Sequence, residues 1–496
     1  MGPARPEEST STPRPRSSLA QRAGPTALLV LLLGFGFAVG LHYARLGFHP
    51  LDGSIVFDGG WRILSGQVPL RDFDTPDAIV PSLLQALAFR AFGVDWLVYC
   101  AHAAVVNGLF CVVVFLLLRT LAASTALATG YALLSGLVLY PPFGVPFREQ
   151  HAFFFTALGL LAAVGAPRVR PAGLSLPLLA TVPALLAAAM LSKPNPSVFA
   201  APWVLLAALV VPHQGRSRLL TLAALAAGAL ALAGAFWALL GLLQIAPDNA
   251  WLLLWERPRQ IGAKRLLEPG LMGLGRLFQV ALYQDALLLP RVALCGVAAA
   301  ALAGPSLWRG LRNEDPMSGL RLLLAGGLCA VGILFRATTL NQPLVGLAFA
   351  FLIGGLVHAS LGSPLFSGAP RLRRVAALLL VAAAIFDVLY LSLYVNPRRV
   401  VHEIFFDAQW ARRPRTPALA FMHYQVNPFY RTSAVQLDRT IAFLRRQPEN
   451  FLLIGDSSIL YGVTGKPSVS PSLWFHDGLT APPRDSRAFA RHAERM

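Results

Sequence analysis

Charge is what this 496-residue chain has least of: 13% of its residues are Asp, Glu, Lys or Arg, where a soluble domain carries about 25%. With 55% hydrophobic residues, that shortage excludes an ordinary water-soluble globule and predicts a polytopic membrane protein. Acids are scarcer still, 24 against 42 basic residues, and only three of the basic residues are lysines, Lys193, Lys264 and Lys466. The four cysteines, Cys100, Cys111, Cys295 and Cys329, all sit in apolar segments without CxxC spacing. They read as small packing residues and exclude a disulfide framework or a thiolate metal site. No internal repeat is evident. The net charge of +18 has no basic face interleaved with aromatics on a soluble module, which argues against a nucleic-acid partner.

Where the arginines fall gives orientation. Arg5, Arg14, Arg16 and Arg22 precede the first apolar run, and Arg119, Arg168, Arg170, Arg216, Arg218, Arg309, Arg312, Arg371, Arg373 and Arg374 recur at every second connection. Positive residues favour the cytoplasmic side, so the N-terminus is expected inside and the C-terminal region outside. Apolar runs begin near Ala23, Asp95, Ala122, His151, Gly173, Pro196, Leu219, Ala286, Gly319, Pro343 and Val375, which predicts about eleven transmembrane helices. The first run has a signal-peptide-like Ala38-Val39-Gly40, but its long basic leader favours a retained span. Residues 1–22 read as a disordered cytoplasmic tail, 23–394 as the membrane domain, and 395–496 as an external region. That last region is expected to be a small α/β appendage, with a helix near Val435–Arg446 and a strand Phe451–Ile454.

In a chain this poor in acids, Asp52, Asp58, Asp72, Asp74 and Asp77 crowd into one stretch between the first two spans. Carboxylates at the mouth of a membrane bundle are costly to desolvate and call for a function. That loop, 42–94, also holds two amphipathic stretches, Ile55–Leu64 and Ile79–Phe92, expected to lie flat at the membrane surface. On the same side the topology puts Arg148-Glu149 at one span end, Lys193-Pro194-Asn195 where two spans meet, and Arg336 at another span end. An Arg fork and a Lys ammonium both suit a phosphate. Trp251 and Trp255, among charged neighbours, suit headgroup depth. His102 and Asn107, inside a span, read as interhelical hydrogen-bonding residues rather than a proton relay. Gly455-Asp456-Ser457 has the look of an esterase nucleophile turn but lacks a suitable distant His-Asp pair and reads as structural.

Asp52 precedes Trp61-Arg62-Ile63-Leu64 by nine positions, and Gly66, Pro69 and Arg71-Asp72-Phe73 follow. This ordered set resembles the first external loop of C-type-fold glycosyltransferases that use polyprenyl-phosphate sugars, the aminoarabinose-transferase and protein-mannosyltransferase-like group. Gly53 stands where that family frequently carries a second acid. The resemblance implies an all-α polytopic bundle in the bacterial cytoplasmic membrane that transfers a sugar from a polyprenyl-phosphate carrier to a lipid, glycan or protein acceptor. With the resemblance and the topology together, Asp52, Asp72 and Glu149 are the expected catalytic residues and Arg71, Arg148 and Lys193 the expected contacts to the donor phosphate, with Arg336 added from its place at an external span end. Whether a divalent metal cation assists is left open by the residues. The alternatives are a transporter or lipid flippase, or a non-catalytic member of the same fold. Plain Leu, Ala and Val at mid-span weigh against a transporter, which usually places polar groups near the midplane.

Overall fold

The computed structural model describes residues 19–45, 52–169, 174–211, 217–267, 316–338, 348–363, 370–396, 412–423, 432–453 and 457–473. Among them the chain is helical, with no strand beyond two isolated bridges, Pro69 to Phe73 and Asp74 to Ser472. Six helical stretches are long and apolar enough to cross a membrane: Gly24–Ala44, Trp96–Thr120, Arg148–Arg168, Ser175–Ser192, Arg218–Leu242 and Arg373–Leu393. The run near Ala286 lies outside the described residues. The run near Ala122 does not form a spanning helix: Thr125–Ser135 is helical for 11 residues, after which the chain enters turns through Pro141, Pro142 and Gly144. Two prolines in succession remove donors and clash with a continuing helix. The runs from Pro196, Gly319 and Pro343 hold the apolar helical stretches Pro194–Val210, Met317–Gly332 and Ala350–Leu361.

In chain order the helices are α1 Leu19–Ala44, α2 Ile55–Leu64, α3 Ile79–Phe92, α4 Trp96–Thr120, α5 Thr125–Ser135, α6 Arg148–Gly165, α7 Ser175–Ala180, α8 Val182–Ser192, α9 Pro194–Val210, α10 Arg218–Leu242, α11 Pro247–Trp251 and α12 Arg257–Leu267. After these come α13 Pro316–Thr338, α14 Ala350–Leu361, α15 Pro370–Tyr390, α16 Ala434–Arg446 and α17 Ile459–Thr464. The central core joins α4, α5, α6, α8, α9, α13 and α14 through residues such as Phe110, Phe153, Val204, Phe335 and Leu352. At the crossing of α1 and α4 the backbones nearly touch. A Cβ on Gly36 would stand 2.7 Å from the Gly108 Cα, and one on Gly108 would stand 2.4 Å from the Leu33 carbonyl oxygen. Small residues permit such close packing where lipid supplies no hydrophobic drive. Asn107 fastens the crossing, donating to the carbonyls of Gly36 (2.8 Å) and Gly136 (2.9 Å) and accepting from the Tyr140 amide. This is the interhelical role expected of it.

At one end of this bundle α2 and α3 pack on each other and on the C-terminal region. Arg62 is buried and donates to Asp58 (2.9 Å) and to the carbonyls of Ser470 (2.6 Å) and Ser472 (3.3 Å). Burial pushes the Asp58 carboxyl above the usual carboxylate range, and Arg62 opposes the shift. Trp61 Nε1 donates to the Lys466 carbonyl, Gln67 to the Ser468 carbonyl, and Asp74 exchanges backbone hydrogen bonds with Pro471 and Leu473. The C-terminal segment therefore completes the core of the first loop. Its helix α16 begins with a reciprocal cap between Ser433 and Gln436. The expected strand is not formed at residues 451–453; Phe451 instead stacks on Tyr461, whose hydroxyl accepts the Leu453 amide. Of the Gly455-Asp456-Ser457 turn, only Ser457 lies among the described residues.

Beside the loop, Trp251 and Trp255 are exposed around a π-helical turn, Leu252–Glu256. Asn249 reaches the Leu70 carbonyl, and Arg257 lies 3.7 Å from Asp74.

Candidate functional site

Five charged side chains from four segments meet at this end of the bundle. Arg148 opens α6, directly after the extended Phe147, and Glu149 follows in the first turn, where the helix dipole favours a carboxylate. Lys193 ends α8 and precedes α9; its backbone is extended, φ −156°, as expected for a residue before proline. Asp77 is aimed by an unusual turn. Ala78 has φ +63°, and its amide donates to the carbonyl of Ser192, the neighbour of Lys193. A non-glycine residue in the left-handed region carries local strain that the surrounding structure must maintain. Thr75 holds the Asp77 carbonyl from the other side.

Asp77 is the centre of the cluster. Its two oxygens lie 2.7 Å from Lys193 Nζ and 3.3 Å from Arg148 Nη1. Arg148 Nη2 reaches Asp52 at 3.2 Å, and Arg148 Nε lies 3.7 Å from Glu149. Lys193 Nζ also stands 3.4 Å from Glu149. Three carboxylates thus share two cations. Asp77 and Glu149 are buried, whereas Asp52 keeps 17% of its side-chain exposure and is the most open carboxylate of the three. Taking so many charges out of water is costly unless each is paired, and here the pairing is mutual. Glu149 Oε2 accepts no hydrogen bond, so this buried oxygen has acceptor capacity for a hydroxyl.

Of the residues singled out in the sequence, Asp52, Arg148, Glu149 and Lys193 converge. Arg71 and Asp72 do not join them. They form their own exposed pair at 2.8 Å, with Arg71 also donating to the Leu243 carbonyl and Asp72 accepting from the Val68 amide. The Arg71 hydrogen bonds hold the Asp72 carboxyl below the usual carboxylate range. Arg336 belongs to α13 by its backbone, and its side chain lies outside the described residues. Asp77 was visible in the sequence only as one acid among five. Its distinguishing feature, the left-handed turn at Ala78, has no signature in a Thr-Pro-Asp-Ala sequence.

Among the described residues no group of three or more His, Cys, Asp or Glu is arranged to hold a metal ion. Within the cluster Arg148 and Lys193 occupy the space between the carboxylates. Chemically the arrangement offers a reachable carboxylate, a guanidinium and an ammonium at one rim of an apolar bundle. Lys193 has three N–H donors and two carboxylate partners, which leaves a donor for an incoming oxyanion.

No protein-family model matches this chain, and no curated protein matches it.

Proposed function

We propose that the protein is an integral-membrane glycosyltransferase that moves a sugar from a polyprenyl-phosphate carrier to an acceptor hydroxyl at the outer face of the bacterial cytoplasmic membrane. The observation that carries this reading is the cluster of Asp52, Asp77, Arg148, Glu149 and Lys193 at one end of the helices. A lipid-phosphate sugar has its reactive carbon at headgroup height, and a catalyst for it needs polar groups at the rim rather than at mid-span. The resemblance of the loop from Asp52 to Phe73 to the C-type family supports the same chemistry, and the Arg bias favours an outward orientation of this end.

In the proposed reaction Asp52, the most open carboxylate, takes the proton of the acceptor hydroxyl as general base. The acceptor oxygen bonds to the anomeric carbon while the bond from that carbon to the phosphate oxygen breaks. The lipid phosphate departs with the electron pair. Arg148 and Lys193 stabilise the charge that develops on it, and Asp77 and Glu149 hold those two cations in place. Arg71 and Asp72, engaged with each other, have no part in the step. The acceptor is a lipid, a glycan or a protein.

The test is direct. Purified protein in lipid is incubated with a panel of polyprenyl-phosphate sugars, and release of free carrier is followed. Release that requires both an acceptor and Asp52 supports the reading, and no release with any donor overturns it.

A further inference from the structure

One turn further along α6 than Arg148, four polar side chains form a continuous chain. Gln85 Oε1 of α3 lies 2.8 Å from His102 Nδ1 of α4, and His102 Nε2 lies 3.0 Å from His151 Nε2 of α6. His151 Nδ1 in turn stands 2.6 Å from the Tyr140 hydroxyl and 3.0 Å from the Phe147 carbonyl. Gln85, Tyr140 and His151 are fully buried.

Proton counting constrains this chain sharply. Two imidazole nitrogens facing each other at 3.0 Å hold one proton between them: two would repel, and none would oppose two lone pairs. A neutral imidazole has a single N–H. If His151 carries it on Nε2, its Nδ1 accepts from Tyr140, and His102 accepts on Nε2 and donates from Nδ1 to Gln85 Oε1. If His151 carries it on Nδ1, that nitrogen donates to the Phe147 carbonyl and His102 donates from Nε2. The bare His102 Nδ1 then takes a proton from the Gln85 amide, turned end for end; Gln85 Nε2 has no partner in its present orientation. Each arrangement runs in one direction, and both give the two histidines opposite tautomers.

What the chain holds lies next to the ion cluster. Phe147 immediately precedes Arg148 and has no side-chain cap of its own. Its carbonyl accepts the His151 amide at 3.2 Å and also faces the His151 ring. One turn before His102, Tyr99 donates to the carbonyl of Gly53, next to Asp52, at 2.8 Å, with the Pro146 carbonyl at 3.5 Å. The same buried layer therefore pins the backbone on either side of the site.

We propose that His102 and His151 are a neutral pair of opposite tautomers that positions Arg148 and Glu149 at the head of α6. The inference deepens the glycosyl-transfer reading but rests on it only for its kinetic readout.

The experiment uses full-length protein labelled with 15N-histidine and 15N-arginine in lipid nanodiscs at neutral pH. His102→Gln and His151→Gln assign the pair. One ring should show Nδ1–H and the other Nε2–H, and Tyr140→Phe should leave only Nδ1–H on His151 and Nε2–H on His102. Two rings of the same tautomer, or an imidazolium, would overturn the chain. His151→Phe and His102→Phe should each move the Arg148 guanidinium signals; if His151→Phe does not fold, His102→Phe carries the reading. Unchanged Arg148 signals overturn the positioning role. In the transfer assay the same variants should lose roughly tenfold or more in kcat/KM, because a small misplacement of a reacting group is expensive, and wild-type turnover also overturns that role. Spectra as expected, with no transfer by the wild type, would remove the transfer reading and leave the positioning intact.

Discussion

Lys193 and Asp77 lie 116 residues apart in the chain, and the Lys193 ammonium sits 2.7 Å from an Asp77 carboxylate oxygen. This pair ties the first loop to the junction of α8 and α9, so Lys193 is more than a cation snorkelling at a helix end. Lys193→Met keeps much of the apolar stem and removes the charge. Losing one partner of a buried pair costs roughly 3 kcal/mol, so the melting temperature in detergent should fall. The double variant with Asp77→Asn should be less than additive, with a coupling on the order of 1–3 kcal/mol. Additive losses would show that the pair is not energetically linked.

Donor kinetics separate the phosphate role from this structural one. If Lys193 and Arg148 grip one phosphate, Lys193→Met and Arg148→Met should each lower kcat/KM for the lipid donor, with little change in acceptor saturation. Lys193→Met with wild-type donor kinetics and a lowered melting temperature would leave the residue a structural part only.

Asp52→Asn should abolish transfer while the fold is kept. A lost general base typically costs about 10²–10⁴ in rate, and Asp52 is the least buried of the three carboxylates, so its neutralisation should disturb packing least. Asp77→Asn should instead lower stability, since it breaks the contacts to both cations. Near-normal turnover in Asp52→Asn would remove it as the base.

Asp72 gives a contrast, and a pH dependence. The Arg71 hydrogen bonds hold the Asp72 carboxyl below the usual carboxylate range in the folded state. A depressed carboxylate contributes stability above its unfolded value, about 3.9, and that contribution is lost as pH falls through the lower folded value. The effect should be small, because the pair is exposed and screened. Asp72→Asn should flatten this acid slope in thermal melts and leave turnover within a few-fold of wild type. A collapse of activity to the level of Asp52→Asn would return Asp72 to the reaction.

Topology is testable without any substrate. Arg71 contacts the carbonyl of Leu243, just past one end of α10, and Arg218 begins the other end. A 25-residue helix separates these positions by roughly 37 Å. An impermeant thiol reagent on intact cells should label Arg71→Cys and spare Arg218→Cys. The reverse pattern would turn the site towards the cytoplasm and exclude an external donor.

Most of the cluster was legible because the chain is so poor in charge. In such a sequence Arg148, Glu149 and Lys193 stand out at the ends of apolar runs, and Asp52 stands out in an acid-rich loop. Asp77 was not, since which of five neighbouring acids turns inward depends on the backbone at Ala78 and on a hydrogen bond to Ser192. Arg71 and Asp72 carry a strong local pattern, yet their adjacency lets them satisfy each other at the surface. At the Ala122 run hydropathy registers one apolar stretch and not that the helix stops at Ser135, with turns and then Pro141 and Pro142 following. The segment at Phe451 is apolar and β-prone, but an aromatic stack on Tyr461 serves it in place of strand pairing.

The threading of the C-terminal segment through the first loop has a consequence for biosynthesis. Arg62 is translated some four hundred residues before the carbonyls of Ser470 and Ser472 that it donates to. Until those carbonyls emerge, its guanidinium lacks two acceptors and the face of α2 that carries Trp61 and Phe57 lacks its cover from α17. The first loop to be made is therefore among the last parts to be finished. Ribosome-bound chains that stop short of residue 468 should carry all six of the described helical stretches long enough to cross a membrane and still lack the carbonyls of Ser468, Ser470 and Ser472 to which Gln67 and Arg62 donate, so the segment made first waits for one made near the end of synthesis.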